Sequence, residues 1–235
     1  MINFFSALLL LTALTGKIFG QSDSSNFHYP DYWSKERIYK YSGLYSDSSG
    51  EIITSEKITL QPTGKTWDAD PKQTLMDFKL DSITADWNKL PPVPLNGKLQ
   101  SWMINYQEGV LQTSNKVWMH PIRKNQYILT ELAPFPEIVL PIKKDTTWKN
   151  TLWIYEAFGT FEGTVECTYT ITGVEIRTYE FGILPCWKII ATGMHDKLGI
   201  NSAIYYFNEE VGFTEMNYLF YNKQKIEFKL TSIKK

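Results

Sequence analysis

Three observations predict an all-β fold, a large antiparallel sheet curved into a half-barrel or open barrel. Aromatic residues make up 15% of the 235 residues, with 8 Trp, 14 Tyr and 13 Phe, and such side chains favour pleated, half-buried surfaces. Between residues 61 and 97 prolines and Asn-Gly break the chain too often for a helix of ordinary length. From residue 152 onward, short alternating apolar runs are separated by Gly, Pro or Asn turns, which predicts an antiparallel meander.

The elements follow in order. Residues 4–14 form an apolar run that ends at Thr15-Gly16-Lys17-Ile18-Phe19-Gly20. Spanning a bilayer takes about 20 apolar residues, so residues 1–20 are read as a secretory signal peptide. Cleavage is expected after Gly20, with a cut near Thr15 or Gly16 as the alternative. The pattern is imperfect, because no Lys or Arg precedes the apolar run and Lys17 follows it. No cysteine occurs before Cys167, so the lipid attachment of a bacterial lipoprotein is not expected. A released, periplasmic or secreted monomer with no stable membrane anchor is predicted, and an uncleaved N-terminal anchor is the competing possibility. Residues 21–235 are then long enough for a single β domain.

Residues 21–34 begin polar and turn aromatic, as expected of a flexible entry followed by a segment that docks on the domain. Tyr39, Tyr41 and Tyr45 predict a strand, Asp47-Ser48-Ser49-Gly50 a turn, and residues 51–60 the second arm of a hairpin. Gln61-Pro62-Thr63-Gly64, Asp70-Pro71, Pro91-Pro92-Val93-Pro94 and Asn96-Gly97 are read as interruptions. Strand-like runs remain at 74–83, 99–106, 110–119 and 126–132, and the proline-rich stretch 133–141 reads as an edge segment or rigid loop. Seven further runs are predicted at 152–158, 163–172, 174–181, 186–192, 200–207, 213–221 and 225–233. In the last of these Ile226, Phe228 and Leu230 alternate with Lys225, Glu227 and Lys229, so one face is dry and the other wet.

The 24 basic and 25 acidic residues nearly cancel and are interspersed, which argues against a nucleic-acid partner. His28, His120 and His195 lie far apart and form no zinc-site spacing, so neither a metal nor another cofactor is expected. His120 reads as capping a turn by hydrogen bond, and His195-Asp196 as a solvated loop. Glu209-Glu210 reads as a solvated turn tip, since neighbours on a strand face opposite ways. Gln61-Pro62-Thr63-Gly64-Lys65-Thr66 ends like a phosphate-binding loop but lacks its first glycine, and no serine sits in a nucleophile elbow. No catalytic residue is singled out. Cys167 and Cys186, placed two strands apart in the predicted meander, lie about 9–10 Å from each other, beyond the about 7 Å limit for a disulfide. Two buried thiols are expected, the alternative being a Cys167–Cys186 disulfide with a different strand order there.

The aromatics carry the remaining functional signal. Trp102, Trp118, Trp148, Trp153 and Trp187, with Tyr205 and Phe207, would line a concave apolar surface if the sheet curls without closing, and a lipid-like ligand suits such a surface. Filling the core is the alternative use of the same residues.

The string Ile204-Tyr205-Tyr206-Phe207-Asn208-Glu209-Glu210-Val211-Gly212-Phe213-Thr214-Glu215-Met216, preceded by Phe181-Gly182 and Cys186-Trp187-Lys188-Ile189-Ile190-Ala191-Thr192, resembles the C-terminal half of uncharacterised secreted β-proteins of Gram-negative bacteria. Those are similar to the outer-membrane lipoprotein carrier and its periplasmic relatives. The resemblance covers residues 150–233. It implies an extracytoplasmic compartment and a curved antiparallel sheet that cradles an apolar ligand, and it brings no catalytic residues.

Three functions follow as expectations. The first is a non-catalytic exported binding or carrier module that holds an apolar or amphipathic ligand, or a segment of an envelope protein, in the curved sheet. The second is a structural or interaction protein of the envelope, with a filled core and an exposed apolar patch. The third is an envelope-polymer hydrolase acting through carboxylates such as Asp68, Asp70 and Asp86.

Overall fold

The computed structural model describes residues 28–68, 70–81, 103–155 and 161–234. The leader lies outside these residues. The strands are β1 (Ile38–Ser46), β2 (Ile52–Trp67), β3 (Asp70–Leu80), β4 (Asn105–Gln112), β5 (Lys116–Met119), β6 (Glu137–Val139), β7 (Thr147–Ile154), β8 (Gly163–Tyr179), β9 (Gly182–His195), β10 (Gly199–Asn208), β11 (Gly212–Leu219) and β12 (Lys225–Lys234). They form a single antiparallel sheet in the order β6-β5-β4-β3-β2-β1-β12-β11-β10-β9-β8-β7, curled as a half-barrel. The meander therefore runs through both halves of the chain, joined where β1 pairs with β12.

One face is dry because every second side chain is large and apolar. Tyr41 stands opposite Ile58 on one side and Leu230 on the other, and Leu60 opposite Phe78, which is in turn opposite Tyr106. All six are buried. Burying one such side chain contributes about 1.5–3 kcal/mol. In the predicted first turn Asp47 Oδ1 accepts the backbone N–H groups of Ser49 (2.8 Å) and Glu51 (3.0 Å), which sets the β1–β2 hairpin.

β6 and β7 lie at opposite ends of the strand order yet follow one another in sequence. The curl brings these edges together, and Trp148 Nε1 on β7 donates to Glu137 Oε1 on β6 at 2.7 Å.

Several expectations change. The 61–64 interruption lies inside β2, where register shifts around Pro62 and Thr66 absorb it. Asp70-Pro71 starts a strand instead of breaking one. The 163–172 and 174–181 runs are one strand, because Gly173, with φ of 141°, sits at a bulge and not at a turn. The 126–132 run is no strand. It belongs to a 3₁₀ segment, Asn125–Leu132, whose residues from Gln126 onward are all buried. The prediction for 133–141 holds in its second half, where β6 is an edge strand. Its first half, Ala133 to Pro136, continues the 3₁₀ segment through the interior and is buried.

Candidate functional site

The concave face is the first place to look, and the chain itself occupies it. Tyr205 on β10 donates its hydroxyl to the Pro134 carbonyl. Tyr169 on β8 donates to the Phe135 carbonyl at 3.1 Å, and Asn201 Nδ2 to the Leu132 carbonyl at 2.6 Å. These bonds satisfy carbonyls that a non-sheet segment would otherwise bury without a partner. On the other wall Tyr127 donates to the buried Glu56 carboxylate and packs edge-on against Phe228, with centroids 4.9 Å apart. Gly43 is required there, since a Cβ would lie 2.6 Å from the Tyr127 hydroxyl and 2.9 Å from Ile58 Cδ1.

A buried ion cluster anchors the start of this segment. Arg123 Nε donates to Glu108 Oε1 at 2.9 Å, and its Nη1 lies 2.6 Å from Glu131 Oε1. Lys124 adds a 3.7 Å contact to Glu108. Burial raises the Glu131 pKa, against the pull of Arg123. Burial also works against the Arg123 charge, but Glu131 and Glu108 outweigh it and its pKa rises.

The residues singled out in sequence divide between faces. Trp187, Tyr205 and Phe207 come together on the concave side, where Trp187 is paired with Phe207. Tyr205 and Phe207 are fully buried, and Phe207 meets Tyr32 at 5.2 Å and Phe213 at 5.1 Å. Trp187 is half-buried and donates Nε1 to Glu209 Oε1 at 2.7 Å. Trp118 alternates with the core residues Val117 and Met119, and packs on His120. Trp153 is 70% exposed, while Trp148 stacks on Tyr169 at 5.0 Å. Trp102 and Asp86 lie outside the described residues. Asp68 is exposed, and Asp70 is tied to its own turn by Gln73 (3.0 Å) and the Lys72 backbone N–H (3.1 Å).

Other expectations need correction. Glu209 and Glu210 do lie in a turn and Glu210 is exposed, but Glu209 is half-buried as the acceptor that holds Trp187. His195 is not solvated: it is 1% exposed, and its Nδ1 accepts the backbone N–H groups of Lys197 and Leu198, leaving Nε2 to donate to the Phe161 carbonyl at 2.9 Å. His120 does make a hydrogen bond, from Nδ1 to the Gly109 carbonyl at 2.9 Å, but that carbonyl lies within β4 and not in a turn. Burial, then nearby Arg123, lowers its pKa to about 4. Both cysteines are free and buried, though for a different reason than expected. Cys167 pairs with Gly193 and Cys186 with Glu175, so they occupy adjacent strands but distant rungs of the ladder.

The second place is the end of the half-barrel that the N-terminal segment crosses. As expected of a docking segment, residues 29–37 are tied down along their length. Tyr32 donates its hydroxyl to the Glu209 carbonyl (2.6 Å), and Arg37 donates to the Glu210 carbonyl (3.0 Å). Gln112 clamps the segment with both halves of its amide, accepting from Tyr32 N and donating to the Pro30 carbonyl, each at 2.8 Å. Ile142 N donates to the Tyr29 hydroxyl at 3.1 Å.

Between this strap and the sheet opens a pocket of about 580 Å³. Tyr29, Trp33 and Leu140 line it with aromatic and aliphatic surface. Lys72 and Thr74 of β3, with Thr113 and Ser114 of the β4–β5 turn, contribute amine and hydroxyl groups. Sequence reasoning missed this pocket because its walls come from four separate stretches with no characteristic spacing. The aromatic turn of composition at residues 28–33 was its only trace.

No protein-family model and no curated protein matches this sequence. Among solved structures, the chain is similar to a protein described as exported, with a YmcC-like fold, from Bacteroides fragilis, at 9% identity and a TM-score of 0.50, over 86% of this chain and 97% of that one. A protein described as a lipoprotein from Parabacteroides distasonis matches at 9% identity and a TM-score of 0.44, over 86% and 96% of the two chains. The hypothetical lipoprotein YmcC from Escherichia coli matches at 11% identity and 0.37, over 82% and 86%. The Bacteroides match shows a shared fold, and its coverage extends the likeness well beyond residues 150–233.

Proposed function

We propose that this chain is an extracytoplasmic binding module that takes its ligand at the strapped rim, the concave face being taken up by the chain itself. The observation that carries this reading is the contrast between a concave face bonded to residues 127–135 and an open pocket of about 580 Å³ under the Tyr29–Trp33 strap. Export is supported by the leader pattern and by the likeness in fold to the Bacteroides protein described as exported. The curvature resembles that of a lipid cradle, but Tyr205, Phe207 and Phe213 meet protein where an acyl chain would lie. Native mass spectrometry of the exported chain is expected to give the protein mass alone. A lipid adduct released only on unfolding would overturn the reading.

A second reading, an interaction protein of the cell envelope, is favoured by the distal β8–β9 hairpin. Val174, Ile176 and Ile183 there are 50%, 69% and 68% exposed on one face. The opposite face is pinned, with Tyr179 bonded to Thr214 at 2.8 Å and Arg177 to Glu215 at 2.8 Å.

A further inference from the structure

The rim pocket has a chemical character that narrows its ligand, provided that the binding reading above holds. Half-buried Tyr29 and Leu140 give it aromatic and aliphatic surface, and Trp33, at 6% exposure, adds little more. The rest of the lining is polar, and the side chains of Thr74, Ser114 and Lys72 have no hydrogen-bond or ion-pair partner among the described residues. Charge is nearly balanced. Lys72 is a cation, and Asp31 is an anion that already accepts the Trp33 backbone N–H at 3.0 Å. The walls are held by bonds that a ligand need not form, since Gln112 clamps the strap and the Tyr29 hydroxyl is fixed to Ile142 N, so little ordering is left to pay on binding.

Each class of ligand makes a different demand on such a site. A fatty acyl chain wants a continuous apolar lining, and the hydroxyls and amine in this one would lose water without replacement. A phosphate or a polyanion wants converging arginines, lysines or a helix N-terminus, and the lining holds one lysine and one aspartate. A sugar ring presents axial C–H groups on its faces and hydroxyls around its edge. It suits a lining that mixes aromatic surface with hydroxyl and amine groups at balanced charge, and a volume of about 580 Å³ lies within the usual range for a small-molecule site. We infer that the rim pocket binds a short neutral glycan, a ring resting against Tyr29 and its hydroxyls bonded to Lys72, Thr74 and Ser114.

The test is a ¹⁵N NMR titration of the exported chain with chitotriose, cellotriose and maltotriose, with triglycine, inorganic phosphate and decanoate as comparison probes. The Trp33 indole and the backbone amides of Ser114 and Thr74 report on the pocket. The expected result is saturable shifts of these resonances by at least one trisaccharide, with affinity reduced ten-fold or more in the Lys72→Ala, Ser114→Ala double variant. Shifts by triglycine, phosphate or decanoate without any by the sugars would overturn the glycan inference and leave the rim reading standing. If none of the six probes moves the pocket resonances, the glycan inference fails. Binding that maps to the concave face instead would overturn both.

Discussion

The concave face and the strapped rim arise from the same curl of the sheet, yet they handle polar groups in opposite ways. Across the concave face, tyrosine hydroxyls and Asn201 are spent on the carbonyls of the chain's own crossing segment. At the rim, Gln112 and Tyr29 are spent holding the walls, while the side chains of Lys72, Thr74 and Ser114 have no hydrogen-bond or ion-pair partner among the described residues. A group paired internally stabilises the fold, and a group left facing solvent is available to a ligand. A half-barrel is therefore not a carrier by virtue of its shape. What decides is whether the chain supplies its own filling.

The two regions should respond differently to substitution. The largest effect is expected from Arg123→Met, which leaves the Glu108 and Glu131 carboxylates buried side by side. Urea denaturation should show a loss of about 3–5 kcal/mol. Adding Glu108→Gln and Glu131→Gln should recover part of it, and a loss below about 1 kcal/mol would mean the segment is not anchored as described.

Acid comes next. His120 titrates near 4 when folded and near its ordinary 6.5 when unfolded. The unfolded chain therefore binds the proton first: this site costs nothing above about pH 6.5, and stability falls progressively as pH drops toward 4. The full shift corresponds to about 3 kcal/mol. Denaturation midpoints measured between pH 7 and 4 should fall less steeply in His120→Gln, whose amide can still donate to the Gly109 carbonyl.

Gly43→Ala should cost about 1–3 kcal/mol in thermal or urea unfolding, because the new methyl meets the Tyr127 hydroxyl and Ile58. A neutral result would show that Tyr127 does not pack against β1. The smallest effect belongs to the rim. Lys72→Ala with Ser114→Ala should change stability by no more than about 0.5 kcal/mol, so any loss of binding in that variant is not a loss of fold.

How legible these features were in the sequence follows the same divide. The sheet was legible because strands buried on one face alternate: Tyr39, Tyr41 and Tyr45, and later Ile226, Phe228 and Leu230, point inward as their spacing says. Trp187, Tyr205 and Phe207 share a face for that reason. The crossing segment was not legible. Gln126 to Leu132 is buried on all sides, so it shows no period that would separate a 3₁₀ turn from a short strand. Gly173 was misread because a bulge and a turn both use positive φ. His195 and Glu209 were misplaced because their partners, Phe161 and Trp187, lie 34 and 22 residues away. The rim pocket shares that cause, since it exists only once the strap reaches β3 and the β4–β5 turn.

Cys167 offers the most direct measurement of whether the concave face is filled. It is 1% exposed, and it pairs with Gly193, where an added Cβ would meet Pro134 Cδ at 3.0 Å. Burial pushes its thiol pKa up to about 12, so both access and thiolate are withheld. In a Cys186→Ala variant, labelling with a small aromatic disulfide reagent under native conditions should be slower than in the denatured chain by a factor of about a thousand or more, with one equivalent reacting on denaturation. Native labelling at close to the denatured rate would mean that the crossing segment leaves the concave face open, and would contradict the account.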